Sequence, residues 1–171
     1  MQLRKLVLGL AAVAMLGSCA KQITKAEAIK IAQDNYDSSN RVYKSAHYKS
    51  VTVATYSDNY PKELREVETG TEEGEITSAA EVAWYRLDSN DLKDLDEKNV
   101  TFKADGTKLE LITKTSSSEL GITYDTFQSM KTDEIGYILE EVHETKTATK
   151  VSSDVTYEAN IKITLTLTWT K

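Results

Sequence analysis

Few side chains in this sequence offer bond-making chemistry. Among 171 residues there are two histidines, His47 and His143, and one cysteine, Cys19. Neither histidine has the i,i+4 partner of an H-E-x-x-H zinc helix. One cysteine closes no internal disulfide, and a single thiol with two imidazoles leaves few ligands for a transition metal. No G-x-S-x-G elbow marks a nucleophilic serine, although a serine distant in sequence could still fold beside a histidine. Glu66, Glu68, Glu72, Glu73 and Glu75 gather around Gly70 and Gly74. Such carboxylates offer a weak Ca²⁺ site or a patch for a basic partner, and a solvated loop is the ordinary reading. Asp88-Ser89-Asn90-Asp91 begins like an EF-hand loop, but Leu92 and Lys93 occupy the fifth-ligand and glycine positions. No G-x-G-x-x-G or G-x-x-x-x-G-K-[ST] loop is present. The nine tyrosines and two tryptophans could line a ligand groove, though aromatics in half-buried strands more often form core. The expectation is no catalytic residue, no metal and no dissociable cofactor.

Cys19 acquires a role from what precedes it. Arg4 and Lys5 form a basic start, and Leu6–Leu16 is an uncharged apolar run of eleven residues. A bilayer-spanning helix needs about 20. A basic start, a short apolar run and then small residues make a secretory signal peptide. The run ends Leu16-Gly17-Ser18-Cys19, which resembles the lipobox of bacterial lipoproteins. That resemblance implies a diacylglyceryl thioether on Cys19, cleavage between Ser18 and Cys19, and acylation of the new amino terminus by a chain such as palmitate. Two or three acyl chains, at about 0.8 kcal/mol per buried methylene, anchor a protein stably. Ala20 rather than Asp follows the cysteine, so the inner-membrane retention signal of some Gram-negative bacteria is missing.

The expected organisation is a leader over residues 1–18, a lipidated tether over 19–23 and one extracytoplasmic domain over 24–171. Loss of the leader removes Arg4 and Lys5 and no carboxylate, moving the net charge from −6 to −8. An acidic domain argues against a nucleic-acid partner. A domain of this length buries enough surface to fold without disulfides. At about 3.5 Å per residue, four tether residues reach at most about 14 Å.

The elements follow from periodicity. Thr24-Lys25-Ala26-Glu27 matches a capping box opening a helix to about Asn35 or Tyr36, with Ala28, Ile31, Ala32 and Tyr36 on one side and Ile29 at its margin. Val51–Tyr56 reads as a strand, and residues 58–75 as a polar loop. Ser78–Leu87 reads both ways: Ser78-x-x-Glu81 would cap a helix, while the aromatic content favours a strand. Residues 88–98 form a loop or short helix. Asp105-Gly106 turns a hairpin over Asn99–Thr113 that pairs Phe102 with Leu109 and Val100 with Leu111. Ile122–Lys131 and Tyr137–Thr147 form a second hairpin, with a bulge expected near Phe127. Residues 155–170 alternate apolar and polar without a break, the mark of a long strand with one wet face. The expected fold class is α+β: an N-terminal helix packed on a curved antiparallel meander with long C-terminal strands.

Two further resemblances bear on function. Ile23–Ala32 resembles the opening helix of PepSY-type domains, which implies an extracytoplasmic protein-interaction or peptidase-inhibitor module; that family's strand–Asp–Thr–Gly ending is absent. The leader, first helix and long amphipathic strands are similar to the half-barrel lipoprotein carriers of bacterial envelopes, which implies a lipid or amphiphile bound between helix and sheet. The expected protein is a non-enzymatic lipoprotein, anchored through Cys19 to the extracytoplasmic side of a membrane, whose partners are that membrane, an amphiphile or an envelope protein.

Overall fold

The computed structural model describes residues 20–38 and 42–171. Leu16, Gly17, Ser18 and Cys19 lie outside the described residues. Among the described residues there are eight strands: β1 (Lys21–Ile23), β2 (Ser45–Tyr56), β3 (Gly70–Ile76), β4 (Val100–Asp105), β5 (Lys108–Glu119), β6 (Ile122–Thr132), β7 (Ile138–Lys150) and β8 (Thr156–Thr170). They form one open, curved sheet in the order β1-β4-β5-β6-β7-β8-β2-β3, antiparallel throughout. The helices are α1 (Lys25–Ser38), α2 (Ala79–Trp84) and α3 (Ser89–Lys93). The sheet so outweighs them that the fold is mainly β, where α+β was expected.

The alternating tail is a single 15-residue strand, β8. Its odd positions face the helices, and Ala159 and Leu167 are buried there. The first helix begins at the expected box: Thr24 Oγ1 accepts from the Glu27 amide at 3.2 Å, and Glu27 Oε2 accepts from the Thr24 amide at 2.7 Å. Ala28 and Ala32 are buried against the sheet. Tyr36, expected beside them, is 51% exposed. Asn35 is buried instead, its Nδ2 donating to the Thr107 carbonyl at 2.9 Å.

Five further expectations change. Ser78–Leu87, favoured as a strand, holds α2: Val82 is buried against Ala46 and Ile76 while Trp84 projects into solvent, so its aromatics do not mark a pleat. The supposed loop 58–75 holds a 3₁₀ turn, Lys62–Leu64, and edge strand β3. That strand pairs only with β2, and its glutamates meet Tyr48, Lys49 and His47 there, while Ile76 at its end joins the core. The first hairpin turns at Gly106-Thr107, so Phe102 pairs with Leu111 and Ala104 with Leu109. Gly106 has φ +61° in the first loop position, where a II′ turn needs glycine. The register runs unbroken past Phe127 and shifts between Lys131 and Thr132. Phe127 breaks parity because it lies on the other face, beside Lys114. Finally, Lys21–Ile23, read as tether, is edge strand β1, pairing Lys21 with Ala104 and Ile23 with Phe102.

Two apolar clusters fill the space between the helices and the sheet. One joins Ala28, Ala32, Leu87, Leu92, Phe102, Leu109 and Leu111; the other joins Ala46, Ile76, Val82, Tyr137, Ile138 and Leu167, and Met130 touches both. Across the opposite face the sheet is charged, with Lys103–Glu110 at 3.2 Å, Lys131–Glu140 at 2.8 Å and Lys49–Glu73 at 2.6 Å bridging adjacent strands. Among the described residues no helix is long and apolar enough to cross a membrane.

Candidate functional site

Strand alternation separates the residues that the sequence places together. His47 points to the charged face, its Nδ1 2.9 Å from Glu75 Oε1. His143 points to the helix-side face, its Nδ1 3.3 Å from Gln128 Nε2. The two imidazoles therefore lie on opposite faces of the sheet and share no site. The acidic cluster is divided in the same way. Glu72 accepts from the Tyr48 hydroxyl at 3.1 Å on one face, while Glu73 and Glu75 meet Lys49 and His47 on the other. Among the described residues no group of three or more His, Cys, Asp or Glu is placed to hold a metal ion. Asp88 caps α3 by accepting from the Asn90 amide, and Asp91 Oδ2 accepts from the Asp88 amide at 2.8 Å.

The aromatics divide between core and surface. Tyr43 stacks on Trp169 with ring centroids 5.5 Å apart and meets the edge of Tyr137 at 4.9 Å. Trp169 Nε1 donates to the Ile138 carbonyl at 2.7 Å. The Tyr43 hydroxyl donates to buried Asp133 at 2.9 Å, and burial together with that carboxylate pushes its pKa up to about 12. These are structural contacts. Arg86 joins the α1 end to the β6–β7 turn, donating to the Asn35 carbonyl at 3.0 Å and the Ile135 carbonyl at 3.3 Å.

A cleft opens where α3 crosses the sheet. Its volume is about 330 Å³. The roof is Leu87, Asp91, Leu92 and Leu95, and the floor is drawn from β5, β6 and β7. Cross-strand register builds that floor as two rows on the helix-side face: Leu111, Met130, Glu141, then Thr113, Gln128, His143. The roof is held from α1. Lys25 Nζ donates to the Lys93 carbonyl at 2.7 Å and the Leu95 carbonyl at 2.6 Å, which satisfies the end of α3, and Ser89 Oγ donates to Gln33 Oε1 at 3.2 Å.

Glu141 is the unusual member. It sits in the sheet row between Met130 and Leu165, half-buried, and no described residue hydrogen-bonds or ion-pairs with its carboxylate. Burial pushes this carboxyl above the usual range. A cleft of mixed lining, with leucines and a methionine beside a few convergent polar groups of which one is perturbed, is a usual form of binding site. A larger depression of about 450 Å³ lies towards the other end of the sheet, lined by Thr55, Asp125, Lys146, Asn160 and others. It contains no Leu, Ile, Val, Met or Phe; its apolar lining comes from Tyr56, Ala148 and Ala159, and it has no half-buried carboxylate without a partner.

Sequence reasoning did not single out Glu141. A Glu-Glu-Val-His run shows no parity, and only the register shift at Lys131/Thr132 decides which glutamate faces the helices. Comparison with known proteins finds no matching family model, no similar curated protein and no similar solved structure.

Proposed function

We propose that this chain is a lipid-anchored extracytoplasmic protein that binds a small amphiphile and catalyses nothing. The cleft between α3 and the sheet carries this reading. It presents Leu95, Met130 and the margins of Leu87 and Leu111 to an apolar tail, over the wholly buried Leu92, and a half-buried carboxylate to a head group. Its volume of about 330 Å³ lies near the lower end for ligand sites. The occupant on this reading is a single short chain, not a whole diacyl lipid. The lipobox-like Leu16-Gly17-Ser18-Cys19 supports attachment of the protein to a membrane through Cys19.

Native mass spectrometry of the full chain, extracted gently from its membrane, tests the binding. The expected spectrum shows a small adduct beyond the covalent lipid. A spectrum with the covalent lipid alone, across independent preparations, overturns it. The anchor is tested separately: Cys19→Ser should abolish acyl labelling, and retained labelling refutes the assignment.

A second reading, a PepSY-like interaction or inhibitor module, is favoured by one observation. β4 stops opposite Thr113, so β5 runs on from Thr115 to Glu119 with an uncovered edge of exposed Ser and Thr residues. Such an edge accepts an added strand. A photocrosslinker at Ser118 that captures no envelope protein would count against this second reading.

A further inference from the structure

The cleft has a sign as well as a shape. Two carboxylates, Asp91 and Glu141, and one imidazole, His143, line it, and no lysine or arginine does. A cleft lined by charge of one sign concentrates its field on whatever enters. Asp91 is partly committed, because Oδ2 accepts the Asp88 amide. Glu141 is not committed to any described residue. It also stands where a sheet of this pattern would carry an apolar side chain, between Met130 and Leu165 and beside the Leu111 position in the same row. A half-buried carboxylate without a partner costs stability unless a compensating charge or donor reaches it.

We propose that the cleft binds a cationic amphiphile, a protonated alkylamine whose ammonium group sits against Glu141 and whose tail runs along Leu95 and Met130, between the margins of Leu87 and Leu111. This rests on the reading of the cleft as an amphiphile site and names the head group that the site selects. An ammonium supplies charge-assisted N–H donors to a carboxylate that has none from the described residues. It also balances the two negative charges of the lining, where a carboxylate head would add a third. Size sets the tail. At about 30 Å³ for a group the size of a water molecule, the cleft holds roughly eleven such groups, so the tail has about eight to ten carbons.

The test uses the full chain carrying Cys19→Ser, so that no covalent acyl chain competes for the cleft. It is titrated at neutral pH with n-octylammonium, n-octanoate and n-octanol. Octylammonium should bind at least about tenfold more tightly than octanoate. Glu141→Gln should weaken octylammonium by about tenfold or more and leave octanol within about twofold. In the wild-type side chain, octylammonium should also lower the midpoint of the Glu141 carboxyl carbon in an NMR titration. Octanoate binding as tightly as octylammonium overturns the head-group assignment and leaves the cleft reading standing. A Glu141→Gln variant that loses octanol as strongly as octylammonium also overturns it, because Glu141 then supports the fold and not the ligand. If none of the three probes binds the folded protein, both the assignment and the cleft reading fail.

Discussion

Asp133 shows how one buried carboxylate is accommodated, and Glu141 shows the opposite case. Asp133 accepts from the Ile135 amide at 3.0 Å, the Tyr137 amide at 2.9 Å and the Tyr43 hydroxyl at 2.9 Å. Removing one of these donors leaves two, so Tyr43→Phe should cost about 1–2 kcal/mol in urea unfolding. The Tyr43 phenol contributes stability that is complete below its ordinary value of 10.0 and is lost as pH rises towards about 12. Alkaline melts of Tyr43→Phe should therefore fall less steeply over that interval than those of the parent. Glu141 has the opposite sense for a carboxylate, because burial raises its folded value. The native state holds that proton longer than the unfolded chain does. Stability attached to this group falls as pH rises from the ordinary carboxylate value through the raised one. Glu141→Gln removes that loss. Its melting temperature should exceed the parent's at pH 7, with the gap closing towards pH 4; a gap that is constant with pH would contradict the assignment.

At the scale of elements, what could be read from sequence depended on where each element gets its stability. The β8 strand carries its own pattern in Val155–Thr170, and α1 carries its own start signal in Thr24 and Glu27. Thr24→Ala should cost about 1 kcal/mol, read from thermal unfolding, because an orphan amide of α1 loses its acceptor. By contrast, β3 replaces apolar alternation with cross-strand pairs such as Glu73 with Lys49, so its composition resembles a loop. The α2 helix exists because Val82 finds a pocket made by Ile76 just upstream and by Ala46, which is remote in sequence. The same holds for the candidate site: α3 and Leu87 arrive from one part of the chain and β5–β7 from another. The β6–β7 turn closes on Gly136 at φ +89°, where an added Cβ would also lie 3.4 Å from the Leu87 carbonyl. Gly136→Ala combines a left-handed backbone with that close approach, so it should destabilise by at least about 1 kcal/mol in chemical denaturation.

Over the whole molecule, the sheet is the frame and the helices form a partial cover. The two apolar clusters lie side by side beneath that cover, while Ile163 on β8 remains 41% exposed. Leu92 is wholly buried and fixes the roof of the cleft to the first cluster. Leu92→Ala should cost about 2–5 kcal/mol. Hydrogen exchange should quicken around α3 well before it does in β7 and β8, which are the longest strands of the sheet and are paired on both edges.

Strand β1 stands between residue 20 and everything that forms the cleft. If Cys19 holds the anchor, β1 acts as a cable clamp. A tug from the bilayer is taken up by the three-residue ladder against β4, so it reaches the sheet before it reaches α1. Lys25, which secures the α3 roof, comes only after that ladder in the chain. On that arrangement the short β1–β4 ladder is the first part of the domain that a pull on the lipid would load.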